Sequence, residues 1–281
     1  MATTLRTATE DGVRIITLSR AREYNTITPA LRDELAEEID VADHDREVHV
    51  ILLNAEGPAF CAGYGLDWAT VRAPREAAAD APVWDSVQDM GMMGRYVETY
   101  MKLWYAKKPT IAAVQGWCIG GGTDMVLCAD MVIAGESATF GYPPSRVWGT
   151  PTTAMWVYRM GLEKAKRYML TGDEIPAPKA AEIGLILESV ADEALQGHAL
   201  GFAKRMAKVP INQLIMLKLL CNQTAENMGL ASSRQLGLLF DGIARHTQEG
   251  LDFVERANEV GFRQAVRDRD DPFGDYGSRG R

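Results

Sequence analysis

Apolar positions recur along this chain with two different periods. The first part mixes them: short runs of alternating or unbroken apolar character predict strands, and apolar residues spaced three and four apart predict helices between them. Residues 13–19, after an Asp11-Gly12 turn, alternate like a half-buried strand. Residues 48–54 are nearly all apolar, which predicts a strand covered on both faces. Between the two, Thr28-Pro29 offers an N-cap and a first-turn proline for a helix carrying Leu31, Leu35 and Ile39. Residues 83–107 read as one long helix with a Met and aromatic stripe (Met90, Met93, Tyr100, Met101, Trp104), stopped at Lys107-Lys-Pro109. That stripe fits a core face or the lining of an adaptable apolar pocket. Buried strands follow at 110–114 and 131–134, helices at 155–160, 162–170 and 177–183, and a short strand at 186–190. From Glu193 onward only the helical period remains, at 194–207, 211–228, 232–247 and 250 to about 267. The pattern predicts an α/β core over residues 1–200 and an all-helical region over 201–281.

The loops carry the candidate chemistry. Thr110-Ile-Ala-Ala-Val-Gln-Gly-Trp-Cys-Ile-Gly-Gly-Gly-Thr-Asp124 joins a strand, a glycine triplet and a helix expected from Asp124 to Asp130. Glycines at a strand-to-helix junction let another group approach the backbone, and helix N-terminal N–H groups attract negative charge. The triplet lacks the Lys-Ser or Lys-Thr of a P-loop, and its spacing is not that of a dinucleotide-binding turn. What remains is an oxyanion site next to the carboxylate of Asp124. A second loop, residues 55–67, holds Gly63 and Gly65 on either side of Tyr64, a pattern for an exposed backbone N–H in a tight turn. The paired prolines Pro143-Pro144 within residues 138–149 argue against helix and for a loop of fixed geometry. Residues 73–82, rich in Ala, Pro and charge, read as a surface loop.

Composition narrows the classes. The net charge is −8, which disfavours a nucleic-acid or membrane-surface binder. Cys61, Cys118, Cys128 and Cys221 are widely spaced, so neither a disulfide framework nor a zinc site is expected, and buried thiols in a reducing compartment fit better. The opening residues lack an apolar signal region, and no stretch approaches ~18 uninterrupted apolar residues. A cytoplasmic location without a metal is the expectation. His44, His49, His198 and His246 lie outside the motif loops and read as surface residues, and Asp130 as structural.

Taken in order, the asparagine loop around Asn25, Phe60-Cys-Ala-Gly-Tyr-Gly-Leu66, the block from Lys107 to Gly122 with Cys128-Ala-Asp130 and Ala138-Thr-Phe140, and Leu170-Thr-Gly-Asp-Glu-Ile175 resemble the crotonase (enoyl-CoA hydratase/isomerase) superfamily. The likeness spans residues 10 to about 265. It implies a core of repeated β-β-α turns, a helical C-terminal oligomerisation region, and a homotrimer or hexamer. It also implies an acyl-CoA substrate, coenzyme A entering as part of the substrate and not as a cofactor. By position, the backbone N–H groups of Tyr64 and Gly121 match the oxyanion donors that hold the thioester oxygen as an enolate develops. Ala62 and Leu66 match contacts to the CoA arm, with Gly65, Trp117, Gly120, Pro143 and Ser145 beside them and Arg22 as a candidate for the phosphates. Glu249 and Phe253 match the family's C-terminal helix near CoA.

The carboxylates depart from the family pattern. Hydratases of this kind place one glutamate after the glycine triplet and another after the proline of the strand-exit loop. Here the first place holds Asp124, and the second falls at Pro144 or Ser145. A further aspartate seen in dienoyl-CoA isomerase-like members falls near Thr153. The sequence therefore leads to a hydratase-like enzyme with Asp124 as its single acid/base and Ser145 orienting water. A double-bond isomerase is the alternative, since one carboxylate suffices to move a proton between carbons. A CoA-ester-binding protein without turnover, with Asp124 only capping its helix, is the third reading. Arg146 and Trp148 stand as candidate contacts for a polar or aromatic acyl group.

Overall fold

The all-apolar strands lie side by side at the centre of the structure, a computed structural model that describes residues 4–65 and 84–276. In chain order the strands are β1 (Leu5–Glu10), β2 (Val13–Leu18), β3 (Val50–Ala55), β4 (Ala59–Cys61), β5 (Thr110–Val114), β6 (Trp117–Ile119), β7 (Met131–Gly135), β8 (Thr139–Gly141), β9 (Ile175–Pro176) and β10 (Glu188–Val190). They form two sheets, one ordered β1-β2-β3-β5-β7-β10 and the other β4-β6-β8-β9. Three times in succession a strand of the first sheet hands the chain to one of the second: β3 to β4, β5 to β6, β7 to β8. Within each sheet these strands run parallel. The chain thus winds as a spiral of β-β-α turns, the architecture expected from the resemblance.

The helices are α1 (Pro29–His44), α2 (Ser86–Tyr105), α3 (Gly121–Leu127), α4 (Met155–Met160), α5 (Leu162–Met169), α6 (Ala177–Glu182), α7 (Leu195–Met206), α8 (Ile211–Asn227), α9 (Leu230–Ala244), α10 (Gln248–Val260) and α11 (Phe262–Asp270). Thr28 caps α1 as the sequence predicts, its hydroxyl oxygen accepting from the Leu31 N–H at 3.2 Å. Asp85 caps α2, accepting from the N–H groups of Val87 and Gln88.

Strand parity explains the unbroken apolar runs. Val50, Leu52, Ile111, Ala113 and Ile133 face α7 and pack on Leu195, Ala199 and Ala203. Their neighbours Ile51, Leu53, Ala112, Val114, Val132 and Ala134 face the other way, into the main core with Leu31 and Leu35 of α1 and Met93 and Val97 of α2. Each such side chain stabilises the fold by about 1.5–3 kcal/mol through burial. Asp130 is structural as expected: its Oδ2 accepts from the Thr110 N–H at 2.7 Å and pairs with buried Lys218 at 2.8 Å.

Several expectations need correction. Strands β4, β6, β8 and β9 have at most three residues, too few for a period to register in sequence, and β1 (LRTATE) buries only its first residue. Helix α3 opens at Gly121, so the last two glycines of the triplet are its first turn and not its prelude. The paired prolines sit inside a 3₁₀ turn, Pro143–Arg146, where the first positions need no N–H. The helix expected from residue 250 to 267 is two helices, broken at Gly261 with φ +83°. Cys61, Cys118 and Cys128 are buried, but Cys221 is exposed. The boundary drawn between residues 200 and 201 falls within α7. The loop expected at 73–82 and the first residue of the helix expected from 83 lie outside the described residues. Among the described residues no helix is long and apolar enough to cross a membrane.

Candidate active site

The loop after β4 is held by backbone pairing to residues 24–27. The Ala62 N–H donates to Tyr24 O, the Ile27 N–H to Gly63 O and the Gly65 N–H to Ile27 O, at 2.8–3.1 Å. This short bridge turns the polar groups of Gly63 and Gly65 toward Ile27, so alternation along the chain turns the N–H of Tyr64 the other way. Asn25 fixes the arrangement from beneath. Its side chain accepts from the Arg20 N–H at 2.8 Å and donates to Glu56 O and Ala59 O at 2.8 and 2.9 Å.

Helix α3 meets this loop with its N-terminus. A Cβ on Gly122 would stand 2.4 Å from the carbonyl oxygen of Cys61, and one on Gly121 would stand 2.7 Å from the ring of Tyr64. Both contacts are closer than any side chain allows, so the glycines are what brings the two loops together. The first N–H groups of a helix have no carbonyl partner within it, and that of Gly121 therefore opens beside Gly63 and Tyr64. The Tyr64 hydroxyl accepts from the Tyr100 hydroxyl at 3.1 Å, and burial pushes its pKa well up, which keeps the phenol neutral.

Above this junction lies a cavity of about 330 Å³. Ala62, Gly63, Tyr64, Gly120 and Gly121 form one side, with Met92 and Met93 of α2 and Tyr142, Pro143, Pro144 and Trp148 from the proline loop. The remaining wall comes from the helical region: Asp241, Arg245 and His246, then Leu251, Val254, Phe262, Val266 and Arg269. Ala62, Tyr64, Gly120, Gly121 and Pro143 are thus brought together as a site. Gly65 is buried under the loop, and Leu66 lies outside the described residues.

Other expected site residues fall elsewhere. Arg22 is exposed on a 3₁₀ turn, Ala21–Glu23. Trp117 packs toward Tyr276, with ring centres 6.4 Å apart. Ser145 turns its hydroxyl toward Gly172. Arg146 points away from the cavity, into Asp270 at 2.9 Å and Asp275 at 2.7 Å. Trp148 lies on the wall and packs on Phe253, 5.0 Å between ring centres.

Asp124 sits in the interior, 1 % exposed and off the cavity wall. Its Oδ2 accepts from the N–H and hydroxyl of Thr152 at 2.8 and 3.0 Å, and its Oδ1 from the Trp156 indole N–H at 3.2 Å. Burial pushes its pKa up to about 7, against the pull of these donors, with Asp241 adding a smaller push. The carboxylate that does line the cavity, among the described residues, is Asp241. Burial raises its pKa to about 6, offset by Arg245, whose Nε donates to Oδ2 at 3.1 Å. Arg245 also grips Asp89 of α2 with both terminal nitrogens, at 2.9 and 2.7 Å. His246 is not the surface residue expected: it lines the cavity, stacked on Trp84 with ring centres 4.3 Å apart.

Residues 8–261 match the family model described as "Enoyl-CoA hydratase/isomerase". The chain belongs to the enoyl-CoA hydratase/isomerase family. A solved structure, an enoyl-CoA hydratase from Mycobacterium smegmatis, superposes with TM-score 0.91 at 43% identity, covering 98% of this chain and 96% of that one. A putative enoyl-CoA hydratase, EchA13 of Mycobacterium tuberculosis, is 30% identical over 80% of this chain and 74% of its own length. A 1,2-epoxyphenylacetyl-CoA isomerase of Escherichia coli is 30% identical over 78% of this chain and 81% of its own length. Both hydratase-named and isomerase-named members thus stand among the relatives. Within this enoyl-CoA hydratase/isomerase frame, the place of the first glutamate holds a carboxylate whose oxygens are already taken. The second, expected at Pro144 or Ser145, falls on a residue of the cavity wall in the first case and on a hydroxyl turned toward Gly172 in the other.

The residues that sequence reasoning missed are Asp241, Arg245 and Arg269. Their spacing in the chain gave only a helix face, and no local motif marks that face as part of a site.

Proposed function

We propose that this protein acts on an unsaturated acyl-CoA thioester through an enolate, moving a proton between carbons to shift the double bond. The observation that carries this reading is the meeting of the Tyr64 loop and the N-terminus of α3 at one side of a mostly apolar cavity. Backbone N–H donors at such a junction stabilise a developing oxyanion, each typically by about 3–4 kcal/mol. The apolar wall of Met92, Met93, Trp148 and Phe262 suits an acyl chain or ring. Ala62, which matches a contact to the CoA arm, lines the same cavity, as does Gly120.

Isomerisation fits this site better than the hydration favoured from sequence. Addition of water by a pair of acids needs two acid/base groups around it. Among the described residues one carboxylate, Asp241, lines the cavity, while Asp124 lies off its wall and Pro144 has none to give. Hydration is the second reading, favoured by relatives that carry the name enoyl-CoA hydratase. Incubation with a panel of enoyl-CoAs in oxygen-18 water separates the two. A positional isomer of unchanged mass is the expected product; a gain of one labelled water would replace isomerisation by hydration. Tight binding with no product across the panel would leave a CoA-ester-binding protein.

Assembly into a trimer or hexamer belongs to the same reading. Leu217, Leu220, Leu236 and Phe240, on α8 and α9, are 46–69 % exposed, an apolar surface that a neighbouring subunit would cover.

A further inference from the structure

We propose that Asp241 of α9 is the group that carries the proton in this cavity, standing in for the acid that the Pro143-Pro144 loop lacks. The inference rests on the enolate reading above and assigns its acid/base.

The first observation is position. Asp241 reaches the cavity from the helical region and lies against the proline loop. The point where a Cβ on Gly149 would stand is 3.6 Å from Asp241 Oδ1, 3.0 Å from Pro144 Cβ and 3.6 Å from the Tyr142 hydroxyl. A carboxylate from a distant part of the chain is therefore delivered beside Pro144, one of the two residues at which the second acid position falls.

The second observation is how the carboxylate is held. Its Oδ2 is fixed by Arg245, one turn along the same helix, and the Thr150 N–H bonds to the group as well. Arg245 does not depend on Asp241 for neutralisation, because Asp89 already meets its guanidinium with two parallel hydrogen bonds. A second carboxylate on a satisfied arginine, 5 % exposed and on a cavity wall, is costly for stability alone. Asp124 contrasts with it, since three donors occupy both its oxygens in the interior.

The third observation is electrostatic. Facing Asp241 are Arg245 and His246 just past the end of its own helix, Asp89 of α2, Asp124 of α3, and the phenols of Tyr64 and Tyr142. Burial and the neighbouring aspartates lift its pKa toward neutrality while Arg245 restrains it. A carboxyl group poised there accepts and returns a proton with comparable ease.

The step balances without a further reagent. Asp241 takes a proton from a carbon of the acyl group conjugated with the thioester. The C–H electron pair moves into the enolate, whose oxygen is held at Tyr64 and Gly121. The protonated Asp241 then returns its proton to the other end of the conjugated system, the electrons flow back, and the double bond has moved. Solvent deuterium enters the product whenever the acid exchanges before it returns the proton.

Deuterium incorporation from D2O into a panel of enoyl-CoAs, read by mass spectrometry, tests this. Binding of a saturated acyl-CoA and thermal melting are measured alongside. The expected result is that Asp241→Asn binds the saturated thioester within a few-fold of wild type and loses incorporation by about 10²–10⁴-fold. Asp241→Glu, which keeps the acid on a longer arm, is expected to melt like wild type and to retain measurable incorporation below the wild-type rate. Wild-type incorporation in a folded Asp241→Asn overturns the assignment and leaves the acyl-CoA reading standing. If Asp241→Asn does not fold, an Asp241→Glu rate equal to wild type overturns it instead. A wild-type protein that binds acyl-CoA and neither incorporates deuterium into any member nor shifts its double bond overturns both readings.

Discussion

Asp124 and Asp241 are both buried, and each is charged at a cost, but the surroundings give them different work. Asp124 ties α3 to Thr152 and Trp156 in the manner of a structural knot. Its folded-state pKa of about 7 lies above the ordinary value of 3.8. Between those values the unfolded chain has lost the proton while the folded one keeps it, so the folded state binds more protons and stability falls as pH rises. Above about 7 both states are ionised and the penalty is complete. Asp124→Asn removes this dependence. Urea unfolding at about pH 5 and about pH 8 is expected to show the variant gaining on wild type at the higher pH, by at most about 3 kcal/mol. Gly122→Ala tests the loop junction, because its Cβ would meet the backbone carbonyl of Cys61, which cannot swing aside. A loss of a few kcal/mol, as for other overpacked sites, is expected in the same unfolding assay. The glycine positions were legible in sequence because their constraint is local. Asp241 was not: an Asp and an Arg four residues apart on a helix resemble any i,i+4 pair, and only the fold reveals what that face meets.

Helices α10 and α11 close the cavity; Phe253 of α10 packs on Trp148 of the proline loop, and Arg146 of the same loop ties the end of α11 to the core. Arg146 was a candidate substrate contact in the sequence; in the fold its guanidinium donates to Asp270 and Asp275 and to the Thr171 carbonyl at 2.9 Å, and lies 3.9 Å from the centre of the Phe273 ring. Replacing it by methionine leaves Asp275, 8 % exposed, without its cation, and Asp270, 2 % exposed, with Arg269 alone. Removing one partner of such a buried pair costs about 3–5 kcal/mol. For Arg146→Met, hydrogen exchange is expected to show protection lost first over residues 262–276, before the strands of the spiral. The strands and the long helices were readable from their periods, whereas the break at Gly261 was not. A glycine within a helical pattern is compatible with continuation, and here Gly261 takes a positive φ that ends α10, with Phe253 packed on Phe262 and Trp148 across the break.

The molecule divides its labour between a spiral that supplies the Tyr64 loop and the N-terminus of α3 and a helical region that supplies the remaining wall of the cavity. The buried strands of the first sheet were legible from their apolar runs, since strand parity directs one set of residues to α7 and the other to the main core. The spiral itself came from the resemblance, because the strands of the second sheet have at most three residues. The composition of the cavity was only half legible, because one side comes from local motifs and the other from packing between distant segments. The exposed leucines of α8 and α9 carry a prediction at this scale. Leu217→Glu with Leu220→Glu is expected to shift sedimentation from a multi-subunit species to the monomer while leaving far-ultraviolet circular dichroism unchanged. Deuterium incorporation and assembly can then be compared in one protein. The order of the two halves along the chain has a bearing on biosynthesis. The strands leave the ribosome well before Asp241, Arg245 and the residues of α10 and α11 that complete the wall, and domains tend to fold in the order in which they emerge. A nascent chain that ends before α9 has the turns for the oxyanion loops but no pocket to retain an acyl group. Acyl-CoA is therefore expected to protect the finished chain against protease and to leave such an intermediate unprotected, since a ligand stabilises only the state that binds it.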